Sequence, residues 1–239
     1  MASKSNLEIA YLHIREQIES GIVRPGQLLS RRKIAEEIGV GSTAVQLALA
    51  QLEREGITES RPRSGTYVRE LSEKEFLDLC DVRELVEPYA AALAAERIEP
   101  DQIQVLWDSC QRYRRIREEA PRHKHTVDTW LLRCQVIREE LIFHGTILQA
   151  SGNDVLTKLV STLRLISQVS PQLVYEGGQD HENNPEVIAV EHEGIVEAIK
   201  AGDASLARER MFNHIRGARI LVQKNWPTSK SNQKKPVRL

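Results

Sequence analysis

Four side chains of this 239-residue chain could hold a metal ion together: Glu140, His144, His192 and His214. Glu140 and His144 are four residues apart, so a helix carries both on one face. His192 and His214 fall in two later helical stretches, and a bundle can turn three helices toward one centre. Imidazole and carboxylate donors suit Zn, Ni, Mn or Fe, and three histidines leave room for an exogenous ligand. A lone histidine is more often an ordinary core or surface residue, so the spacing alone leaves both readings open.

The elements that must position these groups are helices. From Ser72 onward the chain reads as helix after helix with no convincing strand, over about 73–97, 101–119, 124–150, 154–175, 184–200 and 203–224. Breaks fall at Glu99-Pro100, Ala120-Pro121, Ser151-Gly152, Glu176-Gly177-Gly178 and Ala201-Gly202. Asp101, Asn153 and Asp203 are the expected N-caps. Pro88 is expected to kink the first of these helices. The polar, turn-rich stretch 176–185 reads as an exposed loop. Six helices with short connections predict an all-α antiparallel bundle over residues 71–224.

Residues 1–70 read differently. Leu7, Ala10, Tyr11, Ile14 and Ile18 share one helical face, and Gly21 stops that helix. Pro25-Gly26 makes a turn, Ser30 caps a second helix through Ile38, and Gly39-Val40-Gly41 is a tight turn. Ser42 is the expected cap of a third helix reaching about Glu55, with Val45, Leu49 and Leu52 inward and Gly56 at its end. Two short strands flank the turn Arg61-Pro62-Arg63-Ser64-Gly65. This order is a winged helix-turn-helix, which places one helix in the DNA major groove. The fold class expected is therefore mainly α, a winged module followed by a bundle.

Charge alone would not have suggested DNA. Residues 1–70 hold ten Lys/Arg against nine Asp/Glu, and residues 71–224 hold 19 against 25. Residues 225–239 hold four basic residues and no acidic one, and are expected to be a disordered tail. The cluster Arg31-Arg32-Lys33 with Arg61 and Arg63 could still contact phosphates. No apolar run reaches the roughly 18 residues of a membrane span. Met1 to Ser5 lacks the apolar core of a signal peptide. The three cysteines, Cys80, Cys110 and Cys134, show no CxxC spacing, so neither a disulfide framework nor a cysteine metal site is indicated, and a reducing cytoplasm fits best.

The N-terminal module resembles the GntR family of bacterial regulators. The resemblance rests on Ile18-x-x-Gly21, Pro25-Gly26-Gln27-x-Leu29-Ser30, Ile34-Ala35-x-x-Ile38-Gly39-Val40, Leu49-x-x-Leu52-x-x-x-Gly56 and the wing glycine Gly65. It implies that the third helix reads bases while the wing enters the neighbouring minor groove. Arg31, Arg32, Ser42, Thr43, Gln46, Arg63 and Gly65 are the DNA-contact residues it points to. Family members often have Glu-Arg where Arg31-Arg32 stand, and arginines where Ser42 and Gln46 stand. Gln pairs with adenine where Arg pairs with guanine, so an operator unlike the usual family sequence is expected; a phosphate contact for Gln46 is the alternative.

The bundle is similar to the FCD ligand-binding domain of FadR-like GntR regulators. The matching segments are Val82-Arg83-x-x-Val86-Glu87-Pro88, Glu140-x-x-Phe143-His144, Ser151-Gly152-Asn153, Glu191-His192-x-x-Ile195-x-x-Ala198-Ile199-x-x-Gly202-Asp203 and the final His214. In metal-binding members a carboxylate four residues before the first His joins three histidines. That carboxylate is usually Asp and is Glu140 here. The resemblance implies a divalent transition metal on Glu140, His144, His192 and His214, holding a small organic-acid effector through open positions. It also places Arg83 near the effector, where a guanidinium clamps a carboxylate; pairing with Glu87 four residues on is the alternative. His123, His125 and His181 read as solvated.

The reading that unites both halves is a homodimeric, effector-controlled transcriptional regulator on a roughly palindromic operator, with repression the family default. A metal-dependent enzyme with an accessory DNA-binding domain is a second reading, since such a centre can activate water, but no further general base or catalytic signature accompanies it. A direct metal sensor, or a metal-free effector binder, is a third.

Overall fold

The computed structural model describes residues 4–119, 127–168, 185–224 and 226. His123, His125, His181 and the basic tail, as well as the ends of the third and fourth expected bundle helices, lie outside the described residues. The N-terminal module contains α1 (Asn6–Glu19), β1 (Leu28–Leu29), α2 (Arg31–Ile38), α3 (Ser42–Arg54), β2 (Thr58–Arg61) and β3 (Gly65–Val68). Ser30 caps α2 as expected, accepting from the Lys33 amide, and Gly39 ends it at φ 68°. Ser42 is not a cap. Gly41 holds that position without a side-chain bond, which leaves the Ser42 hydroxyl at the exposed start of α3.

The sheet is three-stranded and antiparallel in the order β1-β3-β2, one strand more than the sequence pattern suggests. Two residues are too few for an alternation to be read, yet Leu28 and Leu29 pair with Tyr67 and Thr66 and tie the wing to the helices. Gly65 has φ 120°, and a Cβ there would come within 2.7 Å of Leu28 Cδ1. The backbone at this point of the wing therefore calls for glycine, while the exposed Leu28 side chain could swing aside. Ala10, Ile14, Val45, Leu49, Leu52, Ile57 and Val68 form the core of this module.

The bundle contains α4 (Glu73–Arg97), α5 (Pro100–Glu119), α6 (Val127–Ala150), α7 (Asp154–Gln168), α8 (Pro185–Lys200) and α9 (Ala204–Lys224). Ser72 and Glu75 form a capping box at the start of α4, which continues through Pro88 as one helix. Asn153 and Asp203 cap α7 and α9 through the amides of Leu156 and Leu206. Asp101 is not a cap, because α5 begins one residue earlier with Pro100, whose missing N–H costs nothing at a first helical position. The core joins Ala91 and Ala94 of α4, Leu106 of α5, Phe143 and Ile147 of α6, Ile195 and Ile199 of α8, and Met211 and Ile215 of α9. Among the described residues no helix is long and apolar enough to cross a membrane. Burial pushes the Cys80 thiol up to about 11 and the Cys110 thiol to about 12, so both pack as apolar groups rather than as reactive thiolates.

Candidate metal centre and DNA-binding face

Glu140 and His144 leave α6 one turn apart, His192 comes from α8 and His214 from α9. The fold brings these four together: one ligand atom from each lies within 4.8 Å of every other. His192 Nε2 stands 3.3 Å from His214 Nε2 and 3.5 Å from Glu140 Oε1. His144 Nε2 stands 3.4 Å from Glu140 Oε2. The three imidazoles are buried and the carboxylate is partly so. Phe143 stacks on His192 with ring centroids 3.8 Å apart, and Tyr113 of α5 meets the same ring edge-on at 5.4 Å. Packing thus fixes the His192 ring.

The far sides of two rings carry carboxylates. His214 Nδ1 donates to Glu191 Oε2 at 2.8 Å, which turns the lone pair of its Nε2 toward the centre. His144 Nδ1 lies 2.8 Å from Glu87 Oε2, off the ring's donor direction. Carboxylates in this position orient metal-ligating histidines and raise their basicity. Among the described residues, both ring nitrogens of His144 and Nδ1 of His192 are buried without an aligned hydrogen bond. Buried imidazole nitrogens left in this way, converging with one carboxylate, fit a divalent cation.

The electrostatics favour the metal-ready protonation states. Burial, aided by the Arg164 charge, holds His144 below the usual imidazole range. Burial also pushes His192 well below it, with the neighbouring His214, His144 and Arg164 charges adding to the effect and Glu140 opposing it. Burial alone would raise the Glu140 carboxyl, but the closely facing His144 ring, with His192 and Arg164, holds it well below the usual range. His144 and His192 are therefore held toward the neutral imidazole and Glu140 toward the ionised carboxylate.

One participant, Arg164, was not legible in the sequence. Arg164 of α7, only 4% exposed, reaches Glu87 Oε2 at 2.9 Å and Glu140 Oε2 at 3.0 Å. Glu87 of α4 in turn accepts from Arg83 Nε at 2.6 Å. Arg83 thus pairs with Glu87 in a buried network behind the centre. An arginine on an amphipathic helix ordinarily reads as solvated, and its only sequence signal would have been the apolar neighbours on both sides.

The residues expected at DNA, Arg31, Arg32, Ser42, Thr43, Gln46, Arg63 and Gly65, are all exposed. Arg31 Nη1 donates to Gln46 Oε1 at 3.1 Å, which joins the start of α2 to the middle of α3. Arg32 pairs loosely with Glu36 at 3.9 Å. Arg61 lies over the Tyr67 ring at 4.3 Å, and Arg63 holds the wing tip at φ 61°.

Comparison with known proteins agrees with both halves. Residues 7–68 match the family described as "Bacterial regulatory proteins, gntR family", and residues 78–217 match the FCD domain. The HTH-type transcriptional regulator YdhC of Bacillus subtilis (strain 168) is 24% identical over 204 residues, covering 85% of this chain and 85% of the relative. The "Probable D-xylose utilization operon transcriptional repressor" of Paenarthrobacter nicotinovorans is 24% identical over 204 residues, 83% of this chain and 80% of its own. The solved structure of E. coli McbR/YncC superposes with a TM-score of 0.76 at 19% identity, over 94% of this chain and 100% of that one, which shows a shared fold. A winged module followed by an FCD domain is the composition of a transcriptional regulator and not of an enzyme: the chain belongs to the gntR family of bacterial regulatory proteins, in the group whose helical half is an FCD domain.

Proposed function

We propose that the protein is a cytoplasmic, homodimeric transcriptional repressor, controlled by a small organic acid bound at a metal centre on Glu140, His144, His192 and His214. The observation that carries this reading is the convergence of four donor atoms within 4.8 Å. A divalent transition metal bound there supplies Lewis-acidic open positions for a carboxylate. The chain's own residues do the rest. Glu191 and Glu87 aim the imidazoles, Phe143 and Tyr113 exclude water around His192, and Arg164 and Arg83 balance the buried anions. Effector binding shifts the DNA-binding modules only to the extent that it prefers one arrangement of the bundle.

On the DNA side, Ser42, Thr43 and Gln46 of α3 read bases, Arg31 and Arg32 contact phosphates, and Arg63 and Gly65 enter the minor groove. The exposure of all seven supports this reading. A repressor function is supported by the name of one relative. Dimerisation is supported by an exposed apolar face on the adjacent helices α4 and α7, with Val82, Leu85 and Tyr89 on one and Val155 and Leu159 on the other. A two-fold pairing of this face presents two modules to two half-sites.

The test is metal content of protein purified without a histidine tag, wild type against His192→Ala. About one metal per chain, lost in the variant, supports the centre and is followed by screening carboxylates for release of DNA picked from a random pool. No metal after reconstitution removes the metal from the reading and leaves the DNA-binding assignment standing.

A further inference from the structure

The last turn of α7 carries two successive side chains to two different modules. Consecutive helical residues point about 100° apart, so one helix can serve two partners at once. Arg164 points into the bundle, where Nη1 meets Glu87 Oε2 at 2.9 Å and Nη2 meets Glu140 Oε2 at 3.0 Å. Leu165, fully buried, belongs to the core of the winged module with Val45, Ala48, Leu49 and Leu52 of α3. Ile166 packs on that same core, and its Cδ1 would lie 3.6 Å from a Cβ at Gly56, just past the end of α3. Adjacent residues of α7 therefore bond a carboxylate of the candidate effector centre and join the core on which the DNA-reading helix is packed.

The connection is a competition for one atom. Glu140 Oε2 takes the Arg164 guanidinium at 3.0 Å and faces His144 Nε2 at 3.4 Å. A cation shared with the histidines draws on the same carboxylate that anchors α7. We propose that α7 is the relay between the two halves: Arg164 responds to what the Glu140 carboxylate holds, and Leu165 with Ile166 passes the adjustment to the core beneath α3. This rests on the reading of Glu140, His144, His192 and His214 as a metal centre. The relay works because a helix moves as a rigid body and a close-packed core does not absorb displacement locally.

The experiment is hydrogen–deuterium exchange of the full chain with and without zinc chloride, with bound zinc measured on the same samples. In the wild type, zinc changes exchange both around residues 140–150 and in peptides covering 45–58, by about fivefold or more in the latter. Arg164→Lys keeps the positive charge but is too short to bridge Glu87 and Glu140. Its own exchange over 45–58 is the same with saturating zinc as without zinc, so the zinc response there is lost. Leu165→Ala also loses that response while retaining the one at 140–150; if it fails to fold, Ile166→Ala replaces it. Zinc bound by the wild type with no change over 45–58, or a full response in Arg164→Lys and the alanine variant, overturns the relay and leaves the metal centre intact. No zinc bound by the wild type overturns both.

Discussion

Arg164 and Glu140 meet at 3.0 Å through a carboxylate oxygen that also faces His144 Nε2 at 3.4 Å.

Glu87 is the hub of the buried network behind the centre, accepting from Arg83 and Arg164 and standing behind His144. Glu87→Gln leaves the buried Arg83 guanidinium without its anion and Arg164 with Glu140 alone. The expected cost is about 3–5 kcal/mol of stability. Metal affinity should fall about 10–100-fold, because the carboxylate that orients His144 is gone. Chemical denaturation and metal titration check the two effects separately; unchanged values in both would show that Glu87 does not organise the centre.

The metal-free protein should lose stability as pH falls below neutral. His144 and His192 are held below the ordinary imidazole value, burial being the main cause. Below pH of about 6.5 the unfolded chain binds protons that the folded chain refuses, so stability declines by up to about 1.4 kcal/mol per pH unit for each such histidine. Glu140 and Glu87, held low in the folded state, contribute stability that is present above about pH 4.3 and disappears as pH falls through their folded values. A urea midpoint at pH 5.5 equal to that at pH 7.5 would contradict neutral, buried imidazoles.

At the wing tip, Arg63 holds a backbone conformation that glycine adopts freely. Arg63→Gly should leave the melting temperature unchanged or slightly raised. DNA affinity should drop across all sequences, and the salt dependence should lose about one unit of slope. Because the variant is not strained, a fall in affinity reports lost charge rather than misfolding. Unaltered affinity in fluorescence anisotropy would take Arg63 off the DNA.

Gln46 and Arg31 should behave differently although they are bonded to each other at 3.1 Å. Gln46→Ala is expected to relax specificity at one base position by about 1–3 kcal/mol, while Arg31→Ala weakens binding evenly. Selection from a random DNA pool with each variant separates the two. If Gln46→Ala selects the wild-type sequence with undiminished preference, Gln46 contacts backbone only.

The apolar face of α4 and α7 can be tested at its most exposed points, Leu85 and Val155, each 77% exposed. Replacing both with Glu should not disturb the fold, since neither is in the core. It should convert a dimer into a monomer in sedimentation velocity. A dimer that survives the double change uses another surface.

Local pattern carried a large part of this molecule. The winged module was readable because helix caps and turn glycines are local: Ser30 and Gly39 bracket α2, and Gly65 is required by the wing's own geometry. The bundle helices are delimited by local caps and breaks such as Ser72 and Ser151-Gly152, and Glu140 with His144 share a face because of helix pitch alone. That His192 and His214 join them was suggested by family resemblance, and their meeting depends on how α6, α8 and α9 pack.

What the sequence by itself determined were those elements and the residue types each carries, since both follow from interactions within a few residues. Only the tertiary structure decided that Arg164 is buried, that it bonds a carboxylate 77 residues away in sequence, and that the next residue lies in the core of the other module. Burial of a charge is a property of the helices packed around it, and no local signal records which helices those will be. The two-residue strand β1 and the bond between Arg31 and Gln46 escaped for the same reason: each exists only once distant segments have been brought side by side.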